Sequence, residues 1–211
     1  GSIGPAQDGR IKPDLAAYYD NVHCSDADPG GYATGNNYTS FGGTSAATPI
    51  VAGHLGLFYQ MWHNGEFGNP TGATVFDSRP HNTVGKAILI NSANQWTFSG
   101  TAHALTRVHQ GWGHPNLARL YDNRALTFVV NEDVVLRDQE SASFQVDVPA
   151  GQPEFRATLV YIDPAGTTSS SQHRINDLSL LVTDPAGVQY WGNNGLLAAM
   201  FSTSGGVSNT K

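Results

Sequence analysis

Apolar residues are spaced three or four positions apart in the first part of the chain. One such series falls at Ile50, Val51, Leu55, Phe58 and Trp62. This spacing predicts a helix, and because the other faces of the segment are also largely apolar, we expect it to be buried on most sides. A second helix is predicted from Asn82, as its N-cap, to about residue 93.

Beyond residue 122 the apolar period changes from helical to two. Short alternating or β-branched stretches occur at 126–130, 134–136, 144–148, 155–161, 178–182 and 188–191. Several short strands separated by turns, with no helical signal, predict a β-sandwich. The sequence therefore predicts a first region with helices over residues 1–122 and an all-β region over residues 123–211. The polar stretch 202–211 supplies no closing strand, so we expect the sandwich to be incomplete.

The first predicted helix is preceded by a run of small residues that contains Ser45. Pro49 is expected in the first turn, where a missing backbone N–H costs little. Unpaired N–H groups and the positive end of the helix dipole would stabilise negative charge beside Ser45. This placement suits a nucleophilic hydroxyl whose own N–H binds an oxyanion. The alternative is that Ser45 is only an N-cap on a buried helix.

The string Gly43-Thr44-Ser45-Ala46-Ala47-Thr48-Pro49 closely resembles the serine motif of the subtilisin-like serine proteases, or subtilases. It is not the Gly-x-Ser-x-Gly elbow of the α/β-hydrolases, because Ala47 stands where that elbow has glycine. Two further segments, Lys12-Pro13-Asp14 and Gly111-Trp112-Gly113, resemble subtilase segments that flank the serine motif in the same order. The family usually has Pro-Gly where this chain has Tyr18-Tyr19.

The resemblance implies a parallel-sheet α/β domain, incomplete at its start, followed by a truncated jelly-roll-like sandwich. It implies a secreted serine endopeptidase that hydrolyses polypeptide substrates through an acyl-enzyme on Ser45. The family's Asp, His and oxyanion Asn precede the serine, and none of the eight histidines lies in a similar motif. We therefore expect an N-terminal half of the catalytic domain to supply them, and this chain to be inactive alone. The alternative is a pseudo-protease or a β-sandwich binding module.

Calcium is the one cofactor that the resemblance suggests, since some subtilases with a jelly-roll domain bind it there. The carboxylates nearest that resemblance are Asp163, Asp177 and Asp184. Clustered carboxylate oxygens suit Ca²⁺. A turn-forming role explains Asp184 equally well.

Composition and charge limit the classes of partner that the chain is expected to bind. The formal net charge of −6 gives no basic surface for nucleic acid. No apolar run approaches the roughly 18 residues of a membrane-spanning helix, so no membrane partner is expected. The first residues do not resemble a signal peptide, so the expectation of secretion rests on the family resemblance.

Overall fold

The structure of the chain is a computed structural model that describes residues 2–25, 37–96 and 106–208. In chain order the elements are β1 (Val22–Ser25), β2 (Asn37–Phe41), α1 (Thr44–His63), α2 (Asn82–Ser92), α3 (Arg107–Gln110), α4 (Leu117–Asp122), a 3-10 helix (Arg124–Leu126), β3 (Leu181–Thr183) and β4 (Gln189–Trp191). Within these described ranges, no helix has the length and apolar character needed to cross a membrane.

The first predicted helix is confirmed as α1, but it begins earlier than its apolar pattern indicates. Gly43 is its N-cap and Thr44 its first residue, so Pro49 lies in the second turn and not in the first. A residue other than proline at this position would donate its N–H to the carbonyl of Ser45. Because Pro49 lacks this N–H, the first turn of α1, which carries Ser45, is held to the next turn by one hydrogen bond fewer.

The expectation that α1 is buried on most sides is wrong for this structure. Its buried residues are Ala46, Phe58 and Trp62, whereas Leu57 is 55% exposed. The reason is that α2 and α4 pack against one side of α1. Their contact forms the hydrophobic core, which consists of Phe58, Trp62, Val84, Ile88, Leu89 and Leu120.

The second predicted helix is confirmed as α2, with His81 and not Asn82 at the N-cap position. The carboxylate of Glu132 lies at this helix end, where it pairs with His81 and accepts a hydrogen bond from Thr83 Oγ1 at 3.0 Å. Negative charge near a helix N-terminus is favourable. Glu132 thus provides the side-chain contact that an Asn82 cap was expected to give.

The predicted parallel sheet is not found among the described residues of the first region. The strands there, β1 and β2, pair antiparallel, with Val22 opposite Phe41 and Ser25 opposite Asn37. Eleven residues separate these two strands, fewer than the dozen or more that a parallel crossover connection needs. β2 ends at Phe41, directly before the loop that leads into α1.

The predicted jelly-roll sandwich is not confirmed. In the described part of the β-rich region, the one sheet consists of β3 and β4, paired antiparallel with Leu181 opposite Trp191. The stretches predicted as strands between residues 126 and 161 have no ladder partner, and their apolar side chains, such as Phe144 and Phe155, are exposed. Alternation of apolar residues predicts which face of a strand would be buried, but it does not identify the strand that would pair with it.

The two regions are joined by hydrogen bonds at the end of α2. Arg156 Nη1 donates to the carbonyls of Asn91 at 3.1 Å and Ala93 at 2.6 Å. Glu154 pairs with Arg156 at 3.1 Å and with Arg119 of α4. A cation at a helix C-terminus is favourable, so this contact stabilises α2 as well as the junction.

Candidate active site

Ser45 is the second residue of α1, and its side chain is exposed. The helix begins there because Gly43 turns the chain with φ 84° and ψ 178°, a left-handed backbone that side chains other than glycine rarely adopt. The hydroxyl therefore stands at the open end of a 20-residue helix. The dipole of that helix directs positive potential toward any anion formed there.

The backbone N–H of Ser45 has no acceptor among the described residues. Its neighbours are engaged, since the Ala46 N–H donates to the Gly43 carbonyl at 3.0 Å and the Gly43 N–H donates to the Tyr19 carbonyl at 2.6 Å. The first N–H groups of any helix lack an intrahelical acceptor, so this N–H is available to an anion. Its role as an oxyanion donor stays a prediction.

The remaining motif residues build this turn. Thr48 Oγ1 donates to the carbonyl of Thr44 at 2.8 Å, which occupies a carbonyl of the first turn. Ala47 is half-buried under the turn, and Pro49 is exposed. Small side chains at these positions leave the approach to Ser45 open.

None of the described histidines is hydrogen-bonded to Ser45, and several of them have partners elsewhere. His54 lies nine residues further along α1, about 13 Å away and on the opposite side of the helix. Its Nδ1 is 2.8 Å from the Ile50 carbonyl, and its ring meets that of His114 edge-to-face at 5.0 Å. His63, His81 and His109 contact Ser78, Glu132 and Thr106, respectively. His103 lies outside the described residues.

An aromatic cluster formed by Tyr18, Trp96, His114 and His54 lies beside this helix, next to a cavity of about 470 Å³. Burial lowers the pKa of His114. A hydrogen bond to the backbone of Pro115 opposes this effect in part, and the nearby His54 lowers the pKa further. His114 is therefore favoured as a neutral ring. The cluster packs the serine helix against the Gly-Trp-Gly segment.

The Gly111-Trp112-Gly113 segment holds backbones in close contact. A Cβ on Gly111 would lie 2.2 Å from the Pro13 carbonyl oxygen, and one on Gly113 would lie 2.2 Å from the Asn94 oxygen. Both glycines also have positive φ. Residues 13–14, 94 and 111–113 therefore form a rigid junction that supports the segment leading to Tyr19.

The three carboxylates proposed for calcium are each engaged by nearby donors. Asp163 accepts from the N–H groups of Ile175 at 2.6 Å and Asn176 at 2.8 Å, and these hydrogen bonds lower its pKa. Asp177 pairs with Arg174 at 2.9 Å.

Asp184 accepts from the N–H groups of Ala186 and Val188, each at 2.9 Å, in a turn. In the part of the chain that the structure describes, no three His, Cys, Asp or Glu side chains are grouped to hold a metal ion. The calcium site thus stays a prediction.

Sequence reasoning missed the contact of Tyr19 with the serine loop. The carbonyl of Tyr19 accepts the Gly43 N–H, and a Cβ on Gly42 would lie 3.0 Å from the same oxygen. The replacement of Pro-Gly by Tyr18-Tyr19 was the available signal. It gives no distance to Ser45, because the contact joins residues more than 20 positions apart.

Known proteins share this sequence pattern. The Subtilase family model matches residues 1–114, which is more than half of the 211 residues. Three relatives come from Dictyostelium discoideum and are named Serine protease/ABC transporter B family proteins. They are tagA (27% identical, 84% of this chain), tagB (30%, 53% of this chain) and tagD (25%, 87% of this chain).

The chain covers 11%, 7% and 13% of the lengths of these relatives, respectively. It is thus similar to a small part of each of them. The family match includes the whole serine motif, the junction glycines and the segment that contacts the serine loop. The chain belongs to the subtilase family of serine proteases.

Proposed function

We propose that this chain carries the nucleophile of a secreted serine endopeptidase, with Ser45 forming the acyl-enzyme. The observation that carries the proposal is the state of Ser45 itself. Its hydroxyl is exposed and its N–H is unoccupied within the described residues, at the start of a long helix. An N-cap role does not account for Ser45, because Gly43 occupies that position and Ser45 is the second residue of the helix.

In this mechanism Ser45 Oγ attacks the carbonyl carbon of a peptide bond while a histidine accepts the hydroxyl proton. The carbonyl oxygen becomes an oxyanion, to which the Ser45 N–H donates. Collapse of the tetrahedral intermediate breaks the C–N bond, and the histidine returns the proton to the leaving amine. Water then hydrolyses the acyl ester by the same route and regenerates the hydroxyl.

The histidine, its aspartate and a second oxyanion donor from asparagine belong, in this proposal, to an N-terminal half of the catalytic domain. The exposed side of α1 supports this part of the proposal, because the large apolar side chain of Leu57 is 55% exposed there. A long apolar helix of this kind gains stability when a further layer covers it. The 211-residue chain by itself would be inactive.

Secretion and calcium binding are further parts of the proposal, supported by the family resemblance. Calcium would bind in the β-rich region, near Asp163, Asp177 and Asp184. A calcium-dependent rise in the melting temperature of the longer natural protein, lost in Asp163→Asn, would support that site. A melting temperature that does not respond to calcium would contradict it.

The activity test uses the longer natural protein and a Ser45→Ala variant. We expect the variant to lose peptide-bond hydrolysis by about 10⁴-fold or more, because the nucleophile is removed. Ser202→Ala, which changes an exposed serine of the β-rich region, is the matched control and should retain full activity. Equal activity of the Ser45→Ala and natural proteins would overturn the proposal. A natural protein that binds peptides without cleaving them would favour the pseudo-protease alternative.

A further inference from the structure

We propose that Tyr19 is a specificity-determining residue of this protease. Its side chain would contact a substrate residue next to the bond that Ser45 attacks, and would favour a large apolar residue there. This inference rests on the proposed function and names the class of substrate that the site prefers.

The backbone of Tyr19 is hydrogen-bonded to the loop that presents the nucleophile. Its carbonyl accepts the Gly43 N–H at 2.6 Å, and Gly43 is two residues before Ser45. Gly42 packs against the same carbonyl so closely that a Cβ there would lie 3.0 Å away. Tyr19 is thus one hydrogen bond from the serine turn.

The segment that carries Tyr19 is held in place by contacts on both sides. Asp14 accepts the Trp112 N–H at 2.9 Å, and Ala16 donates to Gly113 at 3.0 Å. The ring of Tyr18 lies 5.5 Å from Trp96 and 5.7 Å from His114, centroid to centroid. These contacts fix the backbone immediately before Tyr19.

The Tyr19 ring itself is 54% exposed and makes no ring contact within the described residues. A tyrosine has two side-chain torsions and a large amphipathic surface, so it binds apolar groups with little loss of conformational entropy. A peptide whose scissile carbonyl is at Ser45 must place its flanking side chains beside this loop. An exposed and supported aromatic ring at that place offers them apolar contact.

The carboxylate of Asp20, next to Tyr19 in the chain, adds a second element of selectivity. Asp20 Oδ1 would lie 3.5 Å from a Cβ on Gly42, so a carboxylate borders the same loop. Like charges repel, and acidic substrate side chains are disfavoured there. The expected order of preference at the affected position is large apolar residues first, small residues next and acidic residues last.

The test compares the longer natural protein with Tyr19→Ala and Tyr19→Phe on quenched peptides that vary the residues on each side of the scissile bond. We expect Tyr19→Ala to lower kcat/KM about tenfold for peptides with a large apolar residue at one flanking position, mainly through KM. Peptides with glycine at that position should change less than about twofold. Tyr19→Phe should retain the natural preference, since the ring surface is preserved.

The matched control is Phe76→Ala, which removes an aromatic side chain that is 74% exposed and lies beyond the far end of α1. That helix is about 30 Å long, so this variant should keep the natural profile.

An unchanged profile in an active Tyr19→Ala enzyme would overturn the inference and leave the proposed function intact. An equal loss on all peptides would also overturn it, because Tyr19 would then only support the loop. A natural protein without hydrolytic activity would overturn the proposed function and this inference together.

Discussion

The helical region and the β-rich region bury their apolar residues to different extents. Phe58 of α1 is 0% exposed in a core shared by α1, α2 and α4, whereas Phe144 is 51% exposed. Among the described residues after the 3-10 helix, Leu196 alone is buried. Both regions have clear apolar periods in their sequence. The periodic apolar residues of the helical region pack against one another in a shared core. Most of those in the β-rich region do not.

The difference arises because helices and strands satisfy their backbone hydrogen bonds in different ways. A helix satisfies its N–H and C=O groups within one segment, so α1 forms and then needs a neighbour on one side only. A strand needs a partner strand for its backbone as well as a layer for its side chains. β3 and β4 pair with each other across a short turn. The remaining predicted strands of the β-rich region have no partner within the described residues.

The sharpest contrast should come from two Phe→Ala changes. Phe58→Ala should lower the free energy of unfolding by about 3–5 kcal/mol, because it leaves a cavity in the core. Phe144→Ala, at an exposed site, should cost less than about 1 kcal/mol. Guanidinium unfolding followed by tryptophan fluorescence measures both. Similar costs at the two positions would show that the β-rich region has a core of its own.

A second pair compares two glycines with positive φ. Gly113→Ala should cost about 3 kcal/mol, since backbone strain adds to a Cβ placed 2.2 Å from the Asn94 oxygen. Gly151→Ala has the same kind of strain but open space around the new methyl group, and should cost about 1 kcal/mol. The same unfolding measurement applies. Equal costs would mean that the junction at Gly113 relaxes freely.

The contact between the two regions is tested by Glu154→Gln. Burial raises the pKa of Glu154, but hydrogen bonds from Arg156 and Arg119 outweigh that effect and lower it. Loss of the charge should cost about 1–2 kcal/mol. Hydrogen exchange should quicken at the end of α2, where Arg156 binds the Asn91 and Ala93 carbonyls.

The control is Asp177→Asn, measured without calcium, which removes an ion pair with a more exposed carboxylate within the β-rich region and should cost less than about 0.5 kcal/mol. Unaltered exchange at α2 in Glu154→Gln would show that the two regions are coupled by other contacts.

The smallest effect concerns pH and His114. Its folded-state pKa lies below the ordinary value of 6.5, because burial disfavours the charged ring. The unfolded chain then binds more protons in this range, so stability should fall as the pH drops from about 6.5 through the folded-state pKa. His114→Gln should reduce this slope. The melting temperature, measured across that window for both proteins, tests it, and a slope that the variant leaves unchanged would assign the effect to other groups.

Much of the helical region could be predicted from the sequence, because the signals there are local. The apolar spacing predicted α1 and α2. The start of α1 at Thr44 was missed, because it depends on the backbone of Gly43 and on a contact with Tyr19.

The candidate site was predictable in part for the same reason. Ser45 could be chosen from its motif, but its free N–H is a property of the folded turn. The exposed face of α1 and the unpaired stretches of the β-rich region depend on partners far away in sequence, which periodicity does not reveal. The domain boundary at residue 122 stays a prediction, although α4 ends there.

The most direct test of the central claim is to treat this chain, together with its proposed N-terminal half, with a fluorophosphonate and to map the adduct by mass spectrometry. The account predicts a single dominant adduct on Ser45, absent in Ser45→Ala and present in Ser202→Ala. An active protein that remains unlabelled at Ser45, or that is labelled at another serine, would contradict it.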